Sequence, residues 1–278
     1  MKKGLFLASI LLIMLVSCKS APLPAPKPTP FTGEGRVQLD DITMYFEVHG
    51  DGEPLIFLHG GLESADAWSN QVPIFSQQYR VVTPDSRGQG RTTDSDAPIS
   101  YKLMGEDTVR LMDYLGIDSA YIVGWSDGAV TGIELAIHHP DRVKALVAYG
   151  ANMTHDGLTD NLLGWIRDTP GADWVDGLEE DYKNMSPQPD RLPTIMEKIR
   201  LMWLTQPDYT AEELASIKVP TLILAGENDE FVRADQPQLL ANAIPNAELV
   251  IFPDVGHYAL TEKPDEWNKV VLDFLKDK

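Results

Sequence analysis

The stretch Ala120-Tyr-Ile-Val-Gly-Trp-Ser-Asp-Gly128 places a serine between an apolar run and a segment with helical periodicity. Ala120 to Val123 has the length and side chains of a buried strand, and Val130 to Ile137 is predicted to form a helix. Gly124 to Gly128 fits the pattern G-x-S-x-G, in which a sharp strand-to-helix turn exposes the serine hydroxyl at the end of a sheet. The pentapeptide alone is a weak signal, but here its structural context is met. We therefore predict that Ser126 is a nucleophile.

Outward from this turn, short apolar runs alternate with helical segments. Further strands are predicted within Val37–Val48 (a hairpin that turns at Asp40-Asp41) and at Pro54–Leu58, Tyr79–Thr83, Val143–Ala148, Thr221–Leu224 and Leu249–Phe252, and further helices at Tyr101–Leu115 and Asp265–Leu275. Strands that alternate with helices indicate crossover connections, and therefore an α/β fold with a mostly parallel sheet.

One long interval breaks the alternation. Met153 to Ser216 contains helical patches together with Trp165, Trp174 and Trp203, but no convincing strand. We expect this interval to form a helical cap over the strand ends, and we expect its tryptophans to shape a pocket there. A set of ordinary crossover helices is the alternative.

A nucleophilic serine needs a base and an acid that orients the base, and in this architecture they follow in the order Ser, acid, His. Gly226-Glu-Asn-Asp-Glu230 follows one predicted strand, and Gly256-His257 follows the last. Ligands of open α/β sheets bind at such carboxyl ends of strands. We therefore predict His257 as the base and Asp229 as the acid, with Glu227 and Glu230 as competitors for the acid. The other histidines after the N-terminal region are interpreted as structural or solvated: His49, His59, His138, His139 and His155.

An oxyanion hole requires two backbone N–H groups that point at the developing charge. We predict that Asp127, directly after the nucleophile, supplies one and that Gly61, in the loop after the first parallel strand, supplies the other. Two interpretations are open for the Asp127 side chain. It either caps the N-terminus of the following helix, which favours an acid, or it pairs with a substrate ammonium group.

Five segments together resemble the α/β-hydrolase superfamily: His59-Gly-Gly61, Asp85–Arg91, Gly124–Gly128, Gly226–Asp229 and Gly256-His257. The resemblance covers about residues 34–278. It implies the α/β-hydrolase fold, with helices on both faces of the sheet and a helical cap insertion, and a serine hydrolase without a metal or organic cofactor. It also implies that the Asp85–Arg91 loop is mainly structural.

The turn Gly-Trp-Ser-Asp-Gly is similar to that of a valacyclovir-hydrolase-like, bacterial esterase-like subgroup. We expect it to serve cleavage of a small-molecule carboxylic ester through a Ser-His-Asp triad and an acyl-enzyme. Hydrolysis of an amide, a peptide or a C–C bond on the same triad is one alternative. A non-catalytic lipoprotein that binds a small molecule is another.

The N-terminal residues predict export. Lys2 and Lys3 precede an apolar run from Leu5 to Val16 that has the length of a secretory signal peptide and is too short to span a bilayer comfortably. Leu15-Val-Ser-Cys18 resembles the bacterial lipobox, in which the cysteine is lipidated and becomes the first residue of the mature chain. Cys18 is the only cysteine. An ordinary signal peptide with an incidental cysteine is the alternative.

Composition and charge limit the partners. The chain has 278 residues, with 42 Asp and Glu against 23 Lys and Arg, and a formal net charge of −19. This acid excess argues against nucleic-acid binding, which needs basic surfaces. We expect a small-molecule substrate and, through a lipid anchor at Cys18, attachment to a membrane of the bacterial cell envelope. The expected division is signal peptide 1–17, lipidated cysteine and proline-rich tether 18–33, hydrolase core 34–152, helical cap 153–216 and hydrolase core 217–278.

Overall fold

A computed structural model describes residues 31–168, 177–276 and 278. The predicted signal peptide, Cys18, most of the tether and Trp174 lie outside these residues. The strands are β1 Gly33–Leu39, β2 Ile42–His49, β3 Glu53–Leu58, β4 Tyr79–Pro84, β5 Ala120–Trp125, β6 Val143–Tyr149, β7 Thr221–Gly226 and β8 Ala247–Phe252. The α-helices are α1 Val72–Phe75, α2 Tyr101–Tyr114, α3 Asp127–His138, α4 Asp160–Asp168, α5 Leu178–Met185, α6 Leu192–Thr205, α7 Ala211–Ser216, α8 Gln236–Ala243, α9 Ala259–Glu262 and α10 Pro264–Leu275.

The strands form one eight-stranded sheet in the order β1-β2-β4-β3-β5-β6-β7-β8. The hairpin β1–β2 and the pair β2–β4 are antiparallel, whereas every later pair is parallel. The hairpin turns at Asp40-Asp41, as predicted, and Leu39 pairs with Ile42. The predicted α/β fold with a mostly parallel sheet is therefore confirmed.

The sheet has an apolar core on each face because side chains alternate along its strands. On β3, Leu55 and Phe57 pack into the cluster that contains Trp267 of α10. Ile56 and Leu58 point to the opposite face and join the cluster formed with α2, α3 and the helices between β6 and β7. The strand β5, which precedes the serine turn, is buried along its whole length.

Several element boundaries differ from the predicted ones, and the starts of α3 and β8 have clear physical reasons. Helix α3 begins at Asp127 rather than at Val130, because the helix starts directly after the serine turn. Strand β8 begins at Ala247 rather than at Leu249, and Ala247 pairs with Thr221. On this edge strand Glu248 is exposed, so the polar start of the strand gave no apolar signal.

In the described part of the interval between β6 and β7, the chain forms the four helices α4 to α7. Within the described part of residues 153–216 no strand forms, although single β-bridges join Thr154 to Asp208 and Leu158 to Val232. These helices pack with the sheet helices in one apolar cluster, and three of them, α4, α5 and α6, line a cavity over the sheet. Among the described residues, no helix is long and apolar enough to cross a membrane.

Candidate active site

Ser126 occupies a strained turn between β5 and α3. Its φ of 55° and ψ of −120° lie outside the regions that side chains ordinarily adopt, which is typical of functional turns. The backbone N–H of Ser126 donates to Tyr149 O at 2.8 Å and fixes the turn to β6. A Cβ on Gly128 would lie 2.0 Å from Leu58 O, so only glycine permits this close packing.

His257 and Asp229 form a buried pair at the ends of β8 and β7. His257 Nδ1 lies 2.8 Å from Asp229 Oδ2, and Asp229 Oδ1 accepts from the N–H groups of Phe231 and Val232 at 2.9 Å each. Burial raises the pKa of Asp229, but the hydrogen bond and charge of His257 and the two backbone donors outweigh it, so the pKa lies below its usual range. The carboxylate therefore holds the proton of His257 on Nδ1.

Ser126 and His257 line the same cavity. His257 Nε2 is buried and has no hydrogen-bond partner among the described residues. With the proton on Nδ1, this nitrogen carries a lone pair and can accept a proton. The structure thus brings Ser126, His257 and Asp229 to one end of the sheet, where Asp229 orients the ring of His257 and Ser126 and His257 line one cavity.

The two competing acids make other contacts. Glu227 Oε2 accepts from Asp254 N at 3.2 Å. Glu230 Oε2 accepts from His257 N at 3.0 Å, so it holds the backbone of this residue rather than its ring. The backbone role of Glu230 was not predicted, and its only sequence signal was its position next to Asp229.

Trp125 links three parts of the site. Its Nε1–H donates to His257 O at 2.9 Å, and its ring packs so close to Gly60 that a Cβ there would lie 3.2 Å from it. Because Trp125 also precedes Ser126 directly, the serine turn, the loop after β3 and the histidine loop are held together by one side chain. Sequence reasoning missed this role, because nothing in the pattern G-x-S-x-G specifies the residue before the serine.

The loop after β3, which contains Gly61, is fixed by a neutral histidine. His59 is buried, which lowers its pKa despite the nearby charge of Asp85. His59 Nε2 lies 2.9 Å from Ser86 N and must accept from it, so Nδ1 carries the proton and donates to Gly60 O at 2.7 Å. The structural interpretation of His59 agrees with these contacts.

The loop Asp85–Arg91 also makes structural contacts. Asp85 accepts from Ala65 N and Arg91 N at 2.6 Å each, and Gln89 Oε1 accepts from Leu62 N at 2.6 Å. The four remaining predicted structural histidines each lie within ion-pairing distance of a carboxylate: His49 with Glu47, His138 with Glu134, His139 with Glu106 and His155 with Asp156.

Asp127 lies in the first turn of α3, where an acid is favoured as expected, but its carboxylate is held by side chains of other helices rather than by N–H groups of α3. Asp127 Oδ1 accepts from Tyr101 Oη at 2.8 Å, and both carboxylate oxygens lie 2.9 Å from Trp203 Nε1. Burial raises the pKa of Asp127 to about 6, although the donors Trp203 and Tyr101 and the charge of His257 act in the opposite direction. A Cβ on Gly61 would lie 2.5 Å from Asp127 Oδ2, so the two residues predicted to supply the oxyanion N–H groups are in contact.

Comparison with known proteins places this geometry in a family. The family model described as the alpha/beta hydrolase fold matches residues 53–177 and 179–264. The chain belongs to the alpha/beta hydrolase family. Among the curated relatives of this hydrolase is the candidate carbamate hydrolase RutD of Caulobacter sp. (strain K31), which is 32% identical over 261 residues, covering 84% of this chain and 95% of the relative.

Other relatives act on different bonds. The 2-hydroxy-6-oxo-6-phenylhexa-2,4-dienoate hydrolase of Comamonas testosteroni is 29% identical over 273 residues, covering 86% of this chain and 93% of the relative. Among solved structures, Est816, described as an N-acyl homoserine lactone degrading enzyme, superimposes with a TM-score of 0.69 at 26% identity, covering 86% of this chain and 100% of that one. The comparisons therefore show the family, and the named activities within it differ from one relative to the next.

The hydrolase has a cavity of about 780 Å³ between the sheet and the inserted helices. Trp165 of α4 and Trp203 of α6 line it, together with Ser126 and His257. Five carboxylates also line it: Glu63, Asp66, Asp127, Asp181 and Glu230. No Lys or Arg is present among the lining residues of the described chain. Burial raises the pKa of Glu63, and the negative charge of the neighbouring Asp181 raises it further.

Proposed function

We propose that this hydrolase cleaves a small-molecule carboxylic ester through an acyl-enzyme on Ser126. One observation carries the proposal: Ser126 and His257 line one cavity, and Asp229 lies 2.8 Å from His257 Nδ1, while Nε2 has no hydrogen-bond partner among the described residues. A base that is oriented in this way and has a free lone pair serves to activate a hydroxyl nucleophile.

The proposed reaction has two halves. Ser126 Oγ attacks the ester carbonyl while His257 Nε2 takes the hydroxyl proton, and the N–H groups of Gly61 and Asp127 stabilise the oxyanion. Collapse of this intermediate expels the alcohol, which receives the proton from His257. Water then attacks the acyl-enzyme with His257 again as the base, and Ser126 is released.

The charge of the cavity supports a neutral or cationic substrate. A carboxylate substrate would lose solvation in the cavity and gain no cationic partner there, because the described lining residues include five carboxylates and no Lys or Arg. The lactone-degrading relative acts on a cyclic ester, which is a neutral bond of the proposed type. Several curated relatives instead act on dienoates, which carry a carboxylate.

Hydrolysis of a C–C bond or a carbamate is the second candidate. It is favoured by the names of the curated relatives at 32% and 29% identity. The same serine, histidine and aspartate could serve it, so the substrate charge is the property that separates the candidates.

A substrate panel tests the choice. We would measure kcat/KM for a p-nitrophenyl acyl ester, an aminoacyl ester, a succinate half-ester and 2-hydroxy-6-oxo-6-phenylhexa-2,4-dienoate. We expect turnover of the neutral and aminoacyl esters, at least about tenfold weaker turnover of the half-ester, and loss of ester turnover in Ser126→Ala. Efficient cleavage of the dienoate without ester turnover would overturn the ester assignment.

We also propose that the chain is exported and lipid-anchored at Cys18 in the bacterial cell envelope. The basic start, the short apolar run and the position of the only cysteine support it. The tether would join the domain at the outer edge of the sheet, where Phe31 packs edge-on against Phe46 with ring centroids 5.7 Å apart. Metabolic labelling with an alkynyl fatty acid should mark the wild type but not Cys18→Ser. Equal labelling of both would contradict the assignment.

A further inference from the structure

A carboxylate stands beside the predicted oxyanion hole. Asp127 Oδ2 is so close to the Cα of Gly61 that a Cβ there would lie 2.5 Å away, and the Asp127 backbone is the other predicted donor. A negative charge at this position would oppose the oxyanion that forms when Ser126 attacks, since two charges at short range interact strongly in a buried site. Some feature of the site must therefore offset the charge of Asp127.

Two side chains from different parts of the molecule hold this carboxylate. Tyr101, the first residue of α2, donates to Oδ1 at 2.8 Å from the core side. Trp203, on α6 of the inserted helices, directs its Nε1–H at both oxygens at 2.9 Å. Its ring also covers the oxyanion loop, because a Cβ on Gly61 would lie 2.5 Å from Trp203 Cζ2.

Helix α6, which carries Trp203, is fastened to the core by a second carboxylate. The Asp94 side chain has 0% exposure, and it accepts from Arg191 Nη2 at 2.6 Å and from Lys198 Nζ at 2.9 Å. Asp94 N also donates to Gln188 Oε1 at 2.6 Å. These contacts fix the position of α6, and with it the direction of the Trp203 N–H.

From this geometry we propose that Tyr101 and Trp203 are positioning residues that clamp the Asp127 carboxylate, turning its charge away from the oxyanion. The inference rests on the proposed function, because it concerns the oxyanion of the same reaction. Helix α6 then contributes to catalysis as well as to the cavity wall. An unclamped carboxylate would lose two donors and be free to rotate toward the oxyanion.

A double-mutant cycle tests the clamp. We would measure kcat and KM at pH 8 for a neutral p-nitrophenyl ester with Trp203→Phe and Tyr101→Phe, each in the wild-type and Asp127→Asn backgrounds. We expect each phenylalanine variant to lower kcat at least about tenfold in the wild-type background. In the Asp127→Asn background the loss should shrink to less than about threefold, because no charge remains to be held.

Tyr209→Phe is the matched control. Tyr209 is buried, as Tyr101 is, and its Oη donates to Val130 O of α3 at 3.2 Å rather than to Asp127. We expect it to lower stability without the background-dependent loss of kcat. Tyr101→Phe and Trp203→Phe each remove one donor, and the two donors lie on different helices. If one variant fails to fold, the other still tests the clamp.

Two results would overturn the clamp. One is an equal loss of kcat in both backgrounds, which would mean that the two side chains act only by packing. The other is that kcat falls in neither background. Failure of the proposed function would look different, because the wild type itself would then not turn over the ester.

Discussion

Two buried aspartates flank the reacting end of this hydrolase, and their surroundings drive their pKa values in opposite directions. Asp229, after β7, meets a histidine and two backbone N–H groups, and its pKa lies below the usual range. Asp127, at the start of α3, meets neutral donors, and its pKa rises to about 6. Burial penalises both carboxylates, so the nature of the partner decides which of them stays ionised.

Because their pKa values differ, the two carboxylates can serve different roles. A reliably ionised Asp229 can hold the tautomer of His257 and stabilise an imidazolium. Asp127 is ionised only above about pH 6, and its charge then lies beside Gly61, the other predicted oxyanion donor. Substitutions of the two aspartates and of Trp125 test this contrast.

Replacing Asp229, the acid of the predicted triad, by Asn should give the largest fall in kcat. The amide would no longer hold the proton on Nδ1, so Nε2 would lose its role as base. We expect kcat for a p-nitrophenyl ester to fall about 10³ to 10⁴-fold.

The control for Asp229 is Glu227→Gln, because Glu227 lies on the same loop and its carboxylate accepts from Asp254 N rather than from His257. Its kcat should stay within about twofold of the wild type. A comparable loss in Glu227→Gln, or a near wild-type Asp229→Asn, would remove Asp229 from the mechanism.

Relative to the wild type, Asp127→Asn should raise the free energy of unfolding more at alkaline pH than at acidic pH. Because the folded-state pKa of about 6 exceeds the ordinary value of 3.8, the stability that Asp127 contributes is full below pH 3.8 and is lost as the pH rises through about 6. The complete difference is about 3 kcal/mol, and roughly half of it should appear between pH 5 and pH 8. Urea unfolding of both proteins at these two pH values measures it.

A difference between the two proteins that does not change with pH would contradict the raised pKa of Asp127. The contrast with Asp229 sharpens the test. The pKa of Asp229 is lowered, so its contribution is present above the ordinary value and is lost as the pH falls through the folded-state pKa. Asp229→Asn should therefore show the opposite sign.

Trp125→Phe should have the smallest effect of the three. It removes the hydrogen bond to His257 O but keeps a ring against Gly60. One hydrogen bond is worth about 1 kcal/mol, so kcat should fall roughly five- to tenfold. Trp68→Phe is the control, because Trp68 is also buried and its Nε1 has no partner among the described residues. Equal losses in both variants would show that ring volume, rather than the histidine loop, is responsible.

Much of this site could be predicted because its residues directly follow strands. Ser126, Asp229 and His257 each come after an apolar run that ends in glycine-containing turns, and parallel strands bring their carboxyl ends together. Gly61 could be predicted in the same way, because it lies in the loop that follows the first parallel strand. The mostly parallel sheet could be predicted because buried parallel strands are continuously apolar, as β5 and β7 are.

The contacts of Asp127 could not be predicted in the same way. Tyr101 and Trp203 are separated from Asp127 by 26 and 76 residues, and both lie on helices whose sequence periodicity indicates burial but not a partner. The local alternative, a helix cap, is the contact that sequence favours. Packing of α6 against the core overrides it, and only the tertiary structure specifies how that helix is placed.

The central claim, a nucleophilic Ser126 activated by His257, is tested most directly by a fluorophosphonate probe. We would incubate wild type, Ser126→Ala and His257→Gln with the probe and locate any adduct by peptide mass spectrometry. We expect one adduct on Ser126 of the wild type, none in Ser126→Ala and much slower labelling in His257→Gln. A wild-type protein that takes up no probe at Ser126 would contradict the account and favour a binding protein that has kept the hydrolase fold.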